Sequence, residues 1–69
     1  MDQTREAVAR LVTRLRPEPV CPACLAALVE RGEGDVEIAM HALAGHEGFV
    51  RAREACSLCG ATGPVMARR

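Results

Sequence analysis

Aromatic side chains are almost absent from this chain of 69 residues, which has no tryptophan, no tyrosine and a single phenylalanine, Phe49. Large rings therefore contribute little to any core, and the apolar residues are mainly alanine, leucine and valine. A chain of this length also lies below the size at which a hydrophobic core alone reliably stabilises a fold. We therefore expect one domain, residues 1–69, that needs a further stabilising element.

Lysine is also absent, and no apolar run approaches the ~18 residues that a membrane-spanning helix requires. The absence of lysine excludes Schiff-base chemistry. Residues 1–16 carry charged side chains in a helical pattern and not the apolar segment of a signal peptide. These features predict a cytoplasmic protein without a membrane partner.

The four cysteines form two Cys-x-x-Cys turns, and no cysteine is left over. Each turn presents two sulfur atoms on one side of a loop, so two turns brought together offer the four thiolates of a tetrahedral metal site. Cytosolic thiols stay reduced, which favours metal binding over disulfides. We predict one structural Zn²⁺, with Fe in the same geometry as the alternative. The predicted ligands are Cys21, Cys24, Cys56 and Cys59.

Enzymatic use of the cysteines is not expected. A catalytic zinc ion keeps an open coordination position for water, and a set of four cysteines leaves none. The Cys-Pro-Ala-Cys turn at 21–24 resembles the active-site turn of thioredoxin-like oxidoreductases, but residues 17–20 are too short for the strand that precedes such a turn. His41 and His46 are interpreted as solvated side chains. The sequence therefore predicts a protein that is not an enzyme.

Hydrophobic periodicity predicts two helices in the first half of the chain. Asp2 is the expected N-cap of the first helix, residues 1–16, and Pro17 ends it. The second helix has Pro22 in its first position and is expected to end at Gly32 and Gly34. The residues expected on the buried faces of these helices are Ala7, Val8, Leu11, Val12, Leu15, Leu25, Leu28 and Val29.

A third helix and a β-hairpin are predicted in the second half. Asp35 is the expected N-cap of the helix, and Gly45 is its C-terminal stop. The side chains of residues 49–54 alternate in character, as is typical of a strand, and residues 64–67 can form a partner strand beside them. The residues expected to be buried on the third helix are Val36, Ala39, Met40 and Leu43. The predicted fold class is thus small α+β, three helices followed by a β-hairpin, stapled by one four-cysteine zinc site.

Two helices joined by a short glycine-containing turn and followed by a hairpin resemble a winged helix-turn-helix. The Cys-Ser-Leu-Cys-Gly sequence at 56–60, followed by a short strand, resembles the second half of a zinc ribbon. The resemblance covers residues 20–68 and implies a zinc ribbon, or zinc finger, that clamps a helical insertion between its two cysteine turns. Two-turn ribbons typically separate their cysteine pairs by ~15–20 residues, and the longer separation here favours the insertion.

Charge is distributed unevenly, although the formal net charge is zero. Arginine prevails in residues 1–16 and 48–69, whereas acids prevail in residues 30–47. The predicted third helix, residues 35–44, contains acids and no arginine, which opposes approach to the DNA polyanion. The sequence therefore predicts a non-enzymatic, zinc-stabilised interaction or accessory/regulatory module, with Ile38 as an exposed anchor for a protein partner.

The alternative function is a winged-helix DNA-binding transcriptional regulator. Any contact with nucleic acid is then expected from arginines outside the third helix, which would touch the phosphate backbone without reading base sequence. These arginines are Arg51, Arg53, Arg68 and Arg69. The sequence leaves the oligomeric state open.

Overall fold

The computed structural model describes residues 3–69 and contains three helices followed by two strands. The elements are α1 (Gln3–Leu15), α2 (Pro22–Val29), α3 (Glu33–Leu43), β1 (Phe49–Ala55) and β2 (Thr62–Arg68). The strands pair antiparallel along their whole length as a hairpin. The prediction of a small α+β fold with helices before a hairpin is therefore confirmed. None of the helices within the described residues has the length and apolar character needed to span a bilayer.

Helix α1 packs on the rest of the fold through a narrow stripe. Val8 and Val12, one turn apart, are fully buried. The other apolar positions predicted for this face are only half-buried. The helix ends at Leu15, as the following proline predicts, whereas the N-cap prediction at Asp2 lies outside the described residues.

The boundary between α2 and α3 differs from the prediction. Helix α2 ends at Val29 because Glu30 adopts a left-handed backbone conformation with φ 57°, so the helix stops before either glycine. Gly32 is the N-cap of α3, and Gly34 lies inside that helix. The prediction that Asp35 caps α3 is therefore wrong. Asp35 lies in the first turn, where its charge still complements the helix dipole.

Only one leucine of α2 enters the core. Leu25 is fully buried, whereas Leu28 is 54% exposed, which corrects the predicted buried stripe. Leu28 instead lines a surface groove between α1 and α2. On α3 the predicted burial of Val36, Ala39 and Met40 is confirmed, whereas Leu43 is only half-buried. Ile38, on the opposite face, is 66% exposed.

A third extended segment joins the hairpin. Val20 and Met66 form an isolated antiparallel bridge, in which each backbone N–H donates to the other residue's carbonyl at 3.0 and 2.9 Å. The sequence predicts only a stiff connection at 17–20. β2 lies between Val20 and β1, and three consecutive β2 residues, Val65 to Ala67, are buried. This bridge fixes the start of α2 beside the hairpin.

The hydrophobic core draws on every helix and both strands. Its buried members are Val8, Val12, Val20, Leu25, Val36, Ala39, Met40, Phe49, Cys56, Val65 and Met66. The Arg68 guanidinium covers the Phe49 ring, 4.8 Å from its centroid, as a cation–π contact. The presence of Cys56 in the core places the second cysteine turn directly against the packed interior.

Candidate metal centre

The first cysteine turn forms the N-terminus of α2. Cys21 is the N-cap, with extended backbone, and Pro22 occupies the first turn without losing an intrahelical hydrogen bond. The Cys21 carbonyl accepts the Leu25 N–H at 3.0 Å, which starts the helix. Both cysteines of this turn thus lie at the start of a helix.

The second cysteine turn closes the hairpin between β1 and β2. The Cys56 carbonyl accepts the Gly60 N–H, and the Cys56 N–H donates to Ala61, both at 2.9 Å. Gly60 has φ 80°, a conformation that glycine adopts at low cost. No atom within 4 Å would meet a side-chain Cβ at Gly60, so the backbone angle alone explains the glycine.

Ser57 joins the two turns through the backbone. Both its N–H and its hydroxyl donate to the Pro19 carbonyl, at 2.9 and 2.7 Å. In addition, the Cys21 N–H donates to the Cys56 sulfur at 3.4 Å. Sequence reasoning missed Ser57 because its acceptor lies 38 residues away and no local pattern indicates it.

The sulfur atoms of all four predicted ligands are brought together, within 4.8 Å of one another. The Sγ atoms of Cys21 and Cys59 are 3.7 Å apart, and those of Cys24 and Cys56 are 3.8 Å apart. A tetrahedron with metal–sulfur bonds of about 2.3 Å has edges of about 3.8 Å. A disulfide would need about 2.05 Å, and all four cysteines are free. The arrangement therefore fits one four-coordinate metal ion.

The four thiols differ in environment. Burial raises the pKa of Cys56, but hydrogen bonds from the backbone N–H groups of Cys21, Cys59 and Leu58 outweigh it and lower this pKa to about 6. The hydrogen bond with Cys21, followed by burial, raises the pKa of Cys24 to about 12. Burial also raises the pKa of Cys21. Of these three thiols, Cys56 therefore loses its proton most readily, whereas Cys21 and Cys24 must give up tightly held protons to bind an ion.

We expect the affinity for the metal ion to fall as the pH is lowered from about 8 to about 5.5. The ion must displace the protons of Cys21 and Cys24 throughout this range, and that of Cys56 as well below its pKa of about 6. Competition with a chromophoric chelator at several pH values measures the slope. An affinity that stays constant over this range would contradict thiolate ligation.

The two histidines do not join the cysteines. His41 is exposed on α3, with its Nδ1 atom 3.3 Å from Nη1 of Arg51, and His46 is exposed in the following loop. Within residues 3–69, the cysteine cluster is the single group of three or more potential ligand side chains close enough to hold one ion. The structure thus brings the four predicted ligands together and places both histidines outside the cluster.

No protein-family model, curated protein or solved structure matches the chain. Function is therefore inferred from its own geometry and charges. The resemblances to a winged helix-turn-helix and to a zinc ribbon therefore remain predictions from the sequence.

Proposed function

We propose that the protein is a non-enzymatic interaction or accessory module whose fold is held by one structural Zn²⁺. The sulfur tetrahedron supports this proposal because four thiolates fill the coordination shell of zinc and leave no position for a reacting water. Zn²⁺ is the ion that structural four-cysteine sites hold, and Fe in the same geometry is the alternative. The role proposed for the cysteines is to fix the surface that α3 presents.

The exposed face of α3 is the proposed interaction surface. Gly34, Ile38 and Ala42 follow one another at four-residue intervals and are all exposed, so they form one stripe along the helix. Ile38 is the largest of them and is 66% exposed. Glu33 and Glu37 lie beside these three residues. The name α3 stripe is used below for all five residues, Glu33, Gly34, Glu37, Ile38 and Ala42. An exposed aliphatic side chain between small neighbours suits contact with a protein surface.

DNA binding is the second candidate, and the Val20 bridge favours it. Three helices with a bridge segment between the first and second, followed by a two-stranded hairpin, are the layout expected of a winged helix, whose second helix-turn-helix helix enters the major groove. In this chain that helix is α3, which carries exposed Glu33, Asp35 and Glu37 and no arginine. These carboxylates repel phosphate and lack the donor pair that reads guanine. We therefore place the protein-interaction proposal first.

One pair of measurements on the metal-loaded protein separates the two functions. By fluorescence anisotropy at physiological salt, we expect only weak, sequence-independent DNA binding that is lost steeply as salt rises. In the second measurement, a photo-crosslinking amino acid replaces His41. We expect it to form covalent adducts with other proteins, and we expect these adducts to be absent from the Ile38→Asp variant. Sub-micromolar, sequence-selective DNA binding abolished by Glu37→Ala would instead establish the regulator.

A further inference from the structure

A groove of about 230 Å³ runs between α1 and α2, and none of the four cysteines lines it. Its lining residues are Ala7, Arg10, Leu11, Arg14, Leu28 and Val29. Leu28 is 54% exposed, although Leu25 on the same helix is fully buried. The groove therefore leaves an aliphatic surface uncovered between two helices, which is the kind of site where a further helix can lie.

The rim of this groove is positively charged. Arg10 and Arg14 are one helical turn apart on α1, and both are exposed. Among the described residues, neither arginine has a hydrogen bond or an ion pair, and no acidic side chain lines the groove. The occupant that fits is therefore an acidic helix with an apolar anchor. A nucleic acid would supply the negative charge, but it has no aliphatic group that could cover Leu28.

The α3 stripe has this chemistry. Glu33 and Glu37 are one helical turn apart, the same spacing as the two arginines on the groove rim. Ile38 projects beside them and is 66% exposed. Gly34 and Ala42 are small enough to let another helix approach closely. The chain thus carries a positively charged apolar groove and a negatively charged apolar helix on two different surfaces.

We propose that the α3 stripe of one copy docks into the α1–α2 groove of a second copy. Ile38 then contacts Leu28, and the two glutamates face the two arginines. This inference rests on the proposed role of the α3 stripe in protein interaction. Pairing of two α3 stripes with each other is disfavoured because it would place like charges together. Because each copy carries both surfaces, a two-fold dimer forms this contact twice, whereas a head-to-tail array forms it once at each junction.

The test is sedimentation of the metal-loaded protein at concentrations up to about 1 mM, where even weak association is measurable. We expect association that weakens as salt rises and becomes at least about tenfold weaker in Ile38→Asp and in Arg10→Glu/Arg14→Glu. Mixing the latter variant with Glu33→Arg/Glu37→Arg should restore association. Circular dichroism of each variant confirms that it is folded.

The matched control is Arg53→Glu, which reverses the charge of an exposed arginine on β1 that lies neither in the groove nor on α3. It should leave association unchanged. The inference would be overturned if the protein stayed monomeric at every concentration. It would also be overturned if the charge-reversing substitutions left association unchanged. If a monomeric protein still forms adducts dependent on Ile38 with other proteins, this inference fails while the proposed function stands.

Discussion

Removing the metal ion should unfold the protein, with loss of the helical circular dichroism signal and of the cooperative thermal transition. A structural zinc site contributes an apparent ~10–16 kcal/mol at neutral pH, whereas the total stability of a small domain is about 5–15 kcal/mol. Here the ligands come from the N-terminus of α2 and the tip of the hairpin, and Cys56 is itself a core residue. Without the ion, the four thiols at this junction have no metal bonds that join α2 to the hairpin.

Cys56→Ser should unfold the protein in the same way, because a hydroxyl does not replace a thiolate ligand. Leu58→Ala is the control, since it changes an exposed side chain in the same turn. It should unfold at nearly the temperature of the unmodified protein. If the chelated protein kept a cooperative transition near the original temperature, the ion would not be what holds the fold.

Leu25→Ala should cost about 2–5 kcal/mol of unfolding free energy, whereas Leu28→Ala should cost less than about 1 kcal/mol. Both residues lie on α2, and both changes remove the same atoms from the same helix. Leu25 is fully buried in the core, but Leu28 is 54% exposed, so only the first substitution leaves a cavity. Urea unfolding of the metal-loaded protein at low micromolar concentration measures both values.

The comparison between these two leucines is the informative quantity because helix propensity is the same in each case. Equal costs would mean that α2 packs through a broader face than the structure shows. A larger cost for Leu28 would contradict the placement of α2 against the hairpin.

The sequence predicts those parts of the fold that depend on local patterns. The Cys-x-x-Cys spacing identifies the ligand candidates, and four-residue periodicity identifies Val36 and Met40 as buried. The hairpin follows from alternation at 49–54. In each case the physical cause, a turn geometry or a helical or strand period, lies within a few residues of the feature that it produces.

The features that sequence reasoning missed depend on distant contacts or on backbone choices with small energy differences. Val20 becomes a strand segment only because Met66 is beside it, and Ser57 acquires a role only because the Pro19 carbonyl is within reach. The left-handed residue that ends α2 is Glu30, although nearby glycines adopt this conformation at lower cost. Tertiary contacts decide the first two positions, whereas the end of α2 rests on a local backbone conformation.

Native mass spectrometry combined with X-ray absorption spectroscopy tests the metal centre most directly. The cysteine arrangement predicts one ion per chain with four sulfur atoms at about 2.3 Å. The proposal of a structural zinc site adds that the absorption edge is that of zinc. Changing Cys59, the most exposed ligand, to serine should reduce the number of sulfur neighbours to three or abolish binding. A chain that carries no ion, or two ions on separate cysteine pairs, would contradict the single four-cysteine centre.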